Sequence, residues 1–108
     1  MSDIKELQRL VVKFRDERNW KQFHSPKDAA ISLVLEASEY LELFQYKDDK
    51  EIKKFTSSNK EKISDEIADI LYWILIISKD LKIDLGSSLK NKIDKNILKY
   101  PINKFKGK

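Results

Sequence analysis

The chain has 108 residues, 41% of them hydrophobic and 37% charged, with two Gly, two Pro and no Cys. That composition describes one domain over 1–108, and the missing cysteine excludes a disulfide framework, a thiolate nucleophile and Cys-ligated zinc or iron–sulfur centres. The net charge of +4 is unevenly spread: residues 1–81 carry 14 basic and 16 acidic side chains, and residues 82–108 carry 8 basic and 2 acidic. The positive end can meet nucleic acid, a membrane surface or the phosphates of a small nucleotide.

Scarce glycine and proline disfavour a fold built on tight turns and predict an all-α protein, and the four helical stretches that follow predict a four-helix bundle. The opening segment, MSDIKELQRLVVKFRDERNW, has no uninterrupted apolar run, so neither a signal nor a transit peptide is read there and a cytoplasmic protein is expected. A first helix is predicted from about Asp3 to Arg18, with Ile4, Leu7, Val11 and Phe14 at helical spacing. The segment 19–25, NWKQFHS, breaks the pattern. Ser25 as N-cap and Pro26 at the first helical position then start a second helix, expected to reach Tyr46 and to bury Ala30, Leu33, Val34, Ala37, Leu41 and Phe44. Residues 47–60 are polar and read as a loop, with at most one helical turn around Glu51 to Phe55. A third helix is predicted from about Glu61 to Leu81. Asp69 is the one charged side chain between Ile67 and Ile77, so this helix is expected to be enclosed on all sides, by a partner subunit as well, and it is too short to cross a bilayer. A fourth helix, about Leu85 to Leu98, ends before Tyr100-Pro101 and a short basic tail at 102–108.

Two acidic pairs carry the chemistry. Glu36 and Glu39 are three residues apart on the second helix, as are Glu66 and Asp69 on the third. Residues at that spacing share one face, so packing the two helices together converges four carboxylates. Charged pairs commonly fill a solvated helix face, but Asp69, flanked by Ile67, Ile70, Leu71 and Trp73, has little of one. Like charges held together out of water need a cation. Oxygen-only ligands select Mg²⁺, or Mn²⁺, over zinc, and the Glu-x-x-His pairs of di-iron bundles are missing. Such a Mg²⁺ takes further oxygens from substrate phosphates. Lys92, Asn96 and Lys99, on one face and followed by Tyr100, are donors suited to phosphate oxygens, and Trp20, Phe23 and His24 offer flat rings and a ring nitrogen to a nucleobase.

These residues resemble the all-α nucleoside triphosphate pyrophosphohydrolases of the MazG type, and more narrowly their dCTP pyrophosphatase branch. The family signature, Glu-x-x-Glu, a spacer, then Glu-x-x-Asp, is matched by Glu36, Glu39, Glu66 and Asp69. The run ERNWKQFHSPKDAAISLVLEASEYLELFQY is similar to that branch nearly throughout, as are Lys92, Asn96 and the KYP at 99–101. The resemblance implies cleavage between the α- and β-phosphates of a nucleoside triphosphate, dCTP or a relative of it, for nucleotide-pool control. It implies Mg²⁺ on the four acids, one glutamate orienting or deprotonating the attacking water. Lys92, Asn96, Lys99 and Tyr100 would hold phosphates, and Trp20, Phe23 and His24 would line the base pocket. Trp73 stands where related sequences often have a tyrosine, with Tyr72 beside it, which bears on base or sugar preference. A homo-oligomer, dimer or tetramer, with sites across the interface is implied too. The second reading is a non-catalytic helical oligomer binding nucleic acid through 90–108.

Overall fold

A computed structural model describes residues 3–107. Met1, Ser2 and Lys108, the last of the basic tail, lie outside the described residues. The protein is all-helical: α1 (Ile4–Glu17), a 3-10 turn (Lys21–Phe23), α2 (Pro26–Glu42), α3 (Asp49–Ser58), α4 (Lys60–Asp80), α5 (Leu85–Lys99) and α6 (Ile102–Phe105). No helix among the described residues is long and apolar enough to cross a membrane.

The helix starts follow from capping chemistry. Asp3 and Asp84 each accept a backbone N–H three residues on, from Glu6 and Ser87, at 2.8 Å, and Ser25 Oγ accepts from Asp28 N at 3.1 Å. Two exits share a second device. The N–H groups of Asn19 and Trp20 bond back to the carbonyls of Asp16 and Arg15, and those of Lys82 and Ile83 to Lys79 and Ser78. Asn19 and Lys82 accordingly take left-handed φ values of 56° and 57°, as Tyr46 does after α2 at 66°.

The stretch read as a loop at 47–60 is largely helical. Asp48 accepts from Glu51 N, the Glu51 carboxylate accepts from Asp48 N, and this reciprocal cap starts α3. Phe55 then packs edge-on against Phe44 with ring centres 6.0 Å apart, and Lys47 Nζ lies 4.7 Å over the Phe55 ring. Helix α2 also stops short of Tyr46, which is 95% exposed.

The centre of the molecule is α4, against which α1, α2 and α3 pack. Its buried residues are Leu75, Ile76 and Ser78, joined by Ala29 and Leu43 from the α2 side and by Arg15 from α1. Gln8 Nε2 donates to Ser78 Oγ at 2.9 Å, fixing α1 on α4. The enclosure expected of the third helix holds only for its C-terminal half, since Ile67 is 49% exposed and Asp69 is exposed. The stripe expected to be buried on the second helix is likewise open at Ala30, Val34, Ala37 and Leu41, with only Leu33 and Phe44 partly covered. The reason is that a single chain of this length has too few helices to cover both sides of α2. Helix α5 makes at most slight contact with the rest and leaves Leu89, Ile93 and Ile97, at successive turns, exposed. The solvent-accessible surface is 9079 Å², where a compact monomer of this mass exposes about 6300 Å². The radius of gyration is 17.3 Å against roughly 13 Å for a compact domain of this length.

Candidate metal centre and adjoining cavity

The face of α4 that meets α2 carries Glu66 and Asp69, and the facing side of α2 carries Glu36 and Glu39. One carboxylate oxygen from each of the four lies within 4.8 Å of all the others. The helical spacing of three residues produces this: each helix presents its two acids on adjacent turns, and packing brings the pairs together. Glu36 and Glu66 are half-buried, and Glu39 and Asp69 are exposed. Glu36 Oε2 and Glu66 Oε2 are buried without a hydrogen-bond partner.

The electrostatics record the crowding. Burial, then the Glu39 carboxyl beside it and the charges of Asp69, Glu39 and Glu66, push Glu36 up from 4.5 to about 7. Glu66 is raised as well, by burial and by Glu39, Asp69 and Asp65, with Lys62 opposing. No Lys or Arg forms an ion pair with any of the four among the described residues. Two orphaned carboxylate oxygens in an all-oxygen donor set fit a hard divalent cation.

A cavity of about 580 Å³ adjoins the cluster, and Glu36 and Asp69 form its acidic edge. Its wall is Leu10, Val11 and Phe14 from α1, Trp20 and His24 from the connection to α2, and Tyr72 and Trp73 from α4. The rings meet edge to face: Phe14 with Trp20 at 5.6 Å, Phe14 with Tyr72 at 6.2 Å, Tyr72 with Trp73 at 5.2 Å and His24 with Trp73 at 4.9 Å between centres. Burial, helped by the nearby Arg15 charge and opposed by Asp80 and Asp28, lowers the His24 pKa.

Of the residues expected to line a base pocket, Trp20, His24 and Trp73 stand beside the acids, whereas Phe23 is 64% exposed and outside the cavity wall. Leu10, Phe14 and Tyr72 were not among the expected pocket residues. Phe14 reads in sequence as core stripe, and the signal for Tyr72 was its place one turn after Asp69. Lys92, Asn96, Lys99 and Tyr100 lie on α5 and just after it, and none lines this cavity. Tyr100 instead packs edge to face with Phe105, ring centres 5.3 Å apart, with Lys99 Nζ 5.3 Å from its ring.

An all-helical chain with two i, i+3 acidic pairs converging beside an aromatic cavity has known counterparts, and the chain belongs to the MazG-like family, whose sequence pattern matches residues 31–108. It is similar to dCTP pyrophosphatase 1 of Bos taurus, 33% identical over 106 residues that make up 96% of this chain and 63% of that one. The Homo sapiens protein of the same name is 33% identical over 100 residues, 91% of this chain and 59% of that one. The chain therefore spans less than two thirds of the length of these relatives. Among solved structures, a pyrophosphatase from Archaeoglobus fulgidus is 33% identical and superposes with a TM-score of 0.86, covering 94% of each chain.

Proposed function

We propose that the protein is a Mg²⁺-dependent nucleoside triphosphate pyrophosphohydrolase, releasing a nucleoside monophosphate and pyrophosphate, with dCTP or a close relative as substrate. The observation that carries this reading is the convergence of Glu36, Glu39, Glu66 and Asp69 to within 4.8 Å, two of them with orphaned oxygens. The names of the similar proteins agree with it.

In this reading the four carboxylates hold the cation, with Mn²⁺ as the alternative occupant. When bound, Mg²⁺ polarises the α-phosphate and lowers the pKa of a coordinated water. The chain's own work is positional. One glutamate of the four would also orient or deprotonate the attacking water. Trp20, His24 and Trp73 receive the base next to the acidic edge of the cavity. No covalent nucleophile is required.

The phosphates need donors that one protomer does not bring to this cavity. Lys92, Asn96, Lys99 and Tyr100 supply them from a second copy, so the working unit is a homo-oligomer, dimer or tetramer. The uncovered apolar faces of α2 and α5, and roughly 2800 Å² of surface beyond that of a compact monomer, support this assembly.

The decisive measurement is incubation of the folded protein with each common ribo- and deoxyribonucleoside triphosphate and Mg²⁺, scoring pyrophosphate and monophosphate. Hydrolysis of at least one, abolished by chelator, is expected. No turnover of any would overturn the reading.

A further inference from the structure

The acidic centre and its cavity use one side of α1, and another side of the same helix is basic. Lys5, Arg9 and Lys13 recur every fourth residue, a stripe whose members stand about 6 Å apart along the axis. Lys79, in the last turn of α4, and Lys82, just beyond it, lie alongside. Two adjoining hollows run between these groups. The larger, about 710 Å³, is lined by Lys5, Lys79 and Lys82, and the smaller, about 200 Å³, by Arg9, Lys13 and Lys79. Lys79 thus belongs to both. No residue lines either hollow and the aromatic cavity as well, since the cavity takes Leu10, Val11 and Phe14 from α1.

A lysine on a helix is ordinarily solvated and needs no explanation. Here five cations from three segments gather along one seam, all of them exposed, in a chain with 18 acidic side chains to pair with. Among the described residues none of the five forms an ion pair, whereas Arg15, on the same helix, is held by Asp80. Two carboxylates do line the larger hollow, and both are engaged already: Asp3 accepts the N–H of Glu6 and Asp84 that of Ser87, each as a helix cap. Hydrogen bonds from Ser87, with the Lys5 charge adding to them, hold the Asp84 carboxyl below its usual range. The smaller hollow has no acid in its lining.

We infer that this seam binds an inorganic oligophosphate, a chain of two or three phosphoryl groups laid along the two hollows with Lys79 gripping it between them. The chemistry follows from the groups. Each ammonium is a compact charge with three donors on a flexible stem, and a guanidinium offers a planar fork, so successive phosphoryl oxygens find donors along the whole seam. A single phosphate can engage one trio of cations, and a chain engages both. No aromatic ring lines either hollow, so a nucleobase would gain no stacking surface there, and a duplex is too wide to enter. Recognition therefore rests on the phosphates. Pyrophosphate is the product of the reaction proposed above, and only that link depends on the pyrophosphohydrolase reading.

The test uses the full chain, stripped of metal and dialysed into buffer free of chelator and phosphate, so that the acidic centre repels anions and the seam is read alone. Pyrophosphate and tripolyphosphate are titrated and followed by phosphorus NMR. Both should bind, tripolyphosphate the more tightly, and both more weakly as salt is added. Lys79→Gln should lose about tenfold or more in affinity for each, and Arg9→Gln combined with Lys13→Gln a similar factor for tripolyphosphate. The unliganded Tm of Lys79→Gln at low salt should equal or exceed that of the wild type, because a repelled charge is removed. Absence of binding would overturn the inference, as would an affinity unchanged by Lys79→Gln. Loss of binding in Lys92→Gln combined with Lys99→Gln would move the anion to α5 and overturn it too. A thymidine oligonucleotide that binds more tightly than tripolyphosphate and depends on Lys79 would make the seam a nucleic-acid surface instead. Oligophosphate binding as described, with no hydrolysis of any nucleoside triphosphate once Mg²⁺ is restored, would uphold the inference and sink the catalytic reading alone.

Discussion

Arg15 Nη1 lies 2.8 Å from Asp80 Oδ2, and with 1% of its side chain exposed Arg15 is the most deeply buried charge among the described residues. The pair ties the last turn of α1 to the end of α4, and the Arg15 carbonyl also accepts the N–H of Trp20 at 3.2 Å. A salt bridge therefore stands directly behind the aromatic wall of the cavity. Replacing Arg15 with Met leaves Asp80 without its partner, at a cost of about 3 kcal/mol. Urea unfolding of Arg15→Met measures the loss, and an unfolding midpoint equal to that of the wild type would show that the pair contributes little.

Glu36→Gln separates chemistry from folding. The neutral amide keeps the shape and removes one charge from a crowded set, so the metal-free variant should melt higher than the wild type while losing roughly 100-fold or more in kcat. Calorimetry with chelator and steady-state kinetics with Mg²⁺ are the two measurements. Full activity in this variant would show that Glu36 is not part of the centre.

The raised Glu36 pKa has a definite sign in stability. A carboxyl that titrates at about 7 when folded and near 4.5 when unfolded favours the folded state fully below the lower value, and that contribution disappears as the pH climbs through the upper one. Metal-free protein should therefore lose stability across this window, and Glu66, shifted in the same direction, adds to the trend. Mg²⁺ needs the ionised acids, so its affinity should rise over the same interval. Melting curves at a series of pH values, with chelator and with Mg²⁺, read both slopes, and a chelated protein that grows more stable from pH 5 to 7 would contradict the assignment.

The proposed sharing of the site between two copies predicts complementation. Glu36→Gln and Lys92→Ala should each be inactive alone, but after subunit exchange a mixed dimer holds one site with both residues intact, recovering about a quarter of wild-type activity in an equal mixture. No recovery, despite exchange seen by native mass spectrometry, would place Lys92 and Glu36 in the same subunit's site or remove Lys92 from it.

The acidic centre was legible in the chain because helical geometry turns a spacing of three into a shared face, whatever else the helix does. The segment before the second helix was legible only in part: Trp20 and His24 line the cavity beside the acids, but Phe23, read with them, faces outward, because the 3-10 turn at Lys21–Phe23 sets its own side-chain directions. Helix α3 was missed because its surface is polar nearly throughout, although Asp48 and Glu51 spell out its cap. The exposure of Val34 and Leu41 was illegible for a different reason. An apolar stripe records that something covers it, and not whether the cover belongs to the same molecule. Tyr72 entered the sequence reading only as the neighbour of the departure at Trp73, because its place in the cavity wall exists only once the surrounding rings have been placed.

The left-handed exits have a practical consequence. With only two glycines in the chain, Asn19, Tyr46 and Lys82 occupy backbone geometry that a side chain resists by roughly 1 kcal/mol per position. Tyr46 and Lys82 are both exposed, so little packing would be sacrificed by trimming them. Lys82→Gly should unfold at a higher urea concentration than the parent, making this bend a route to a hardier protein that leaves the acidic centre untouched.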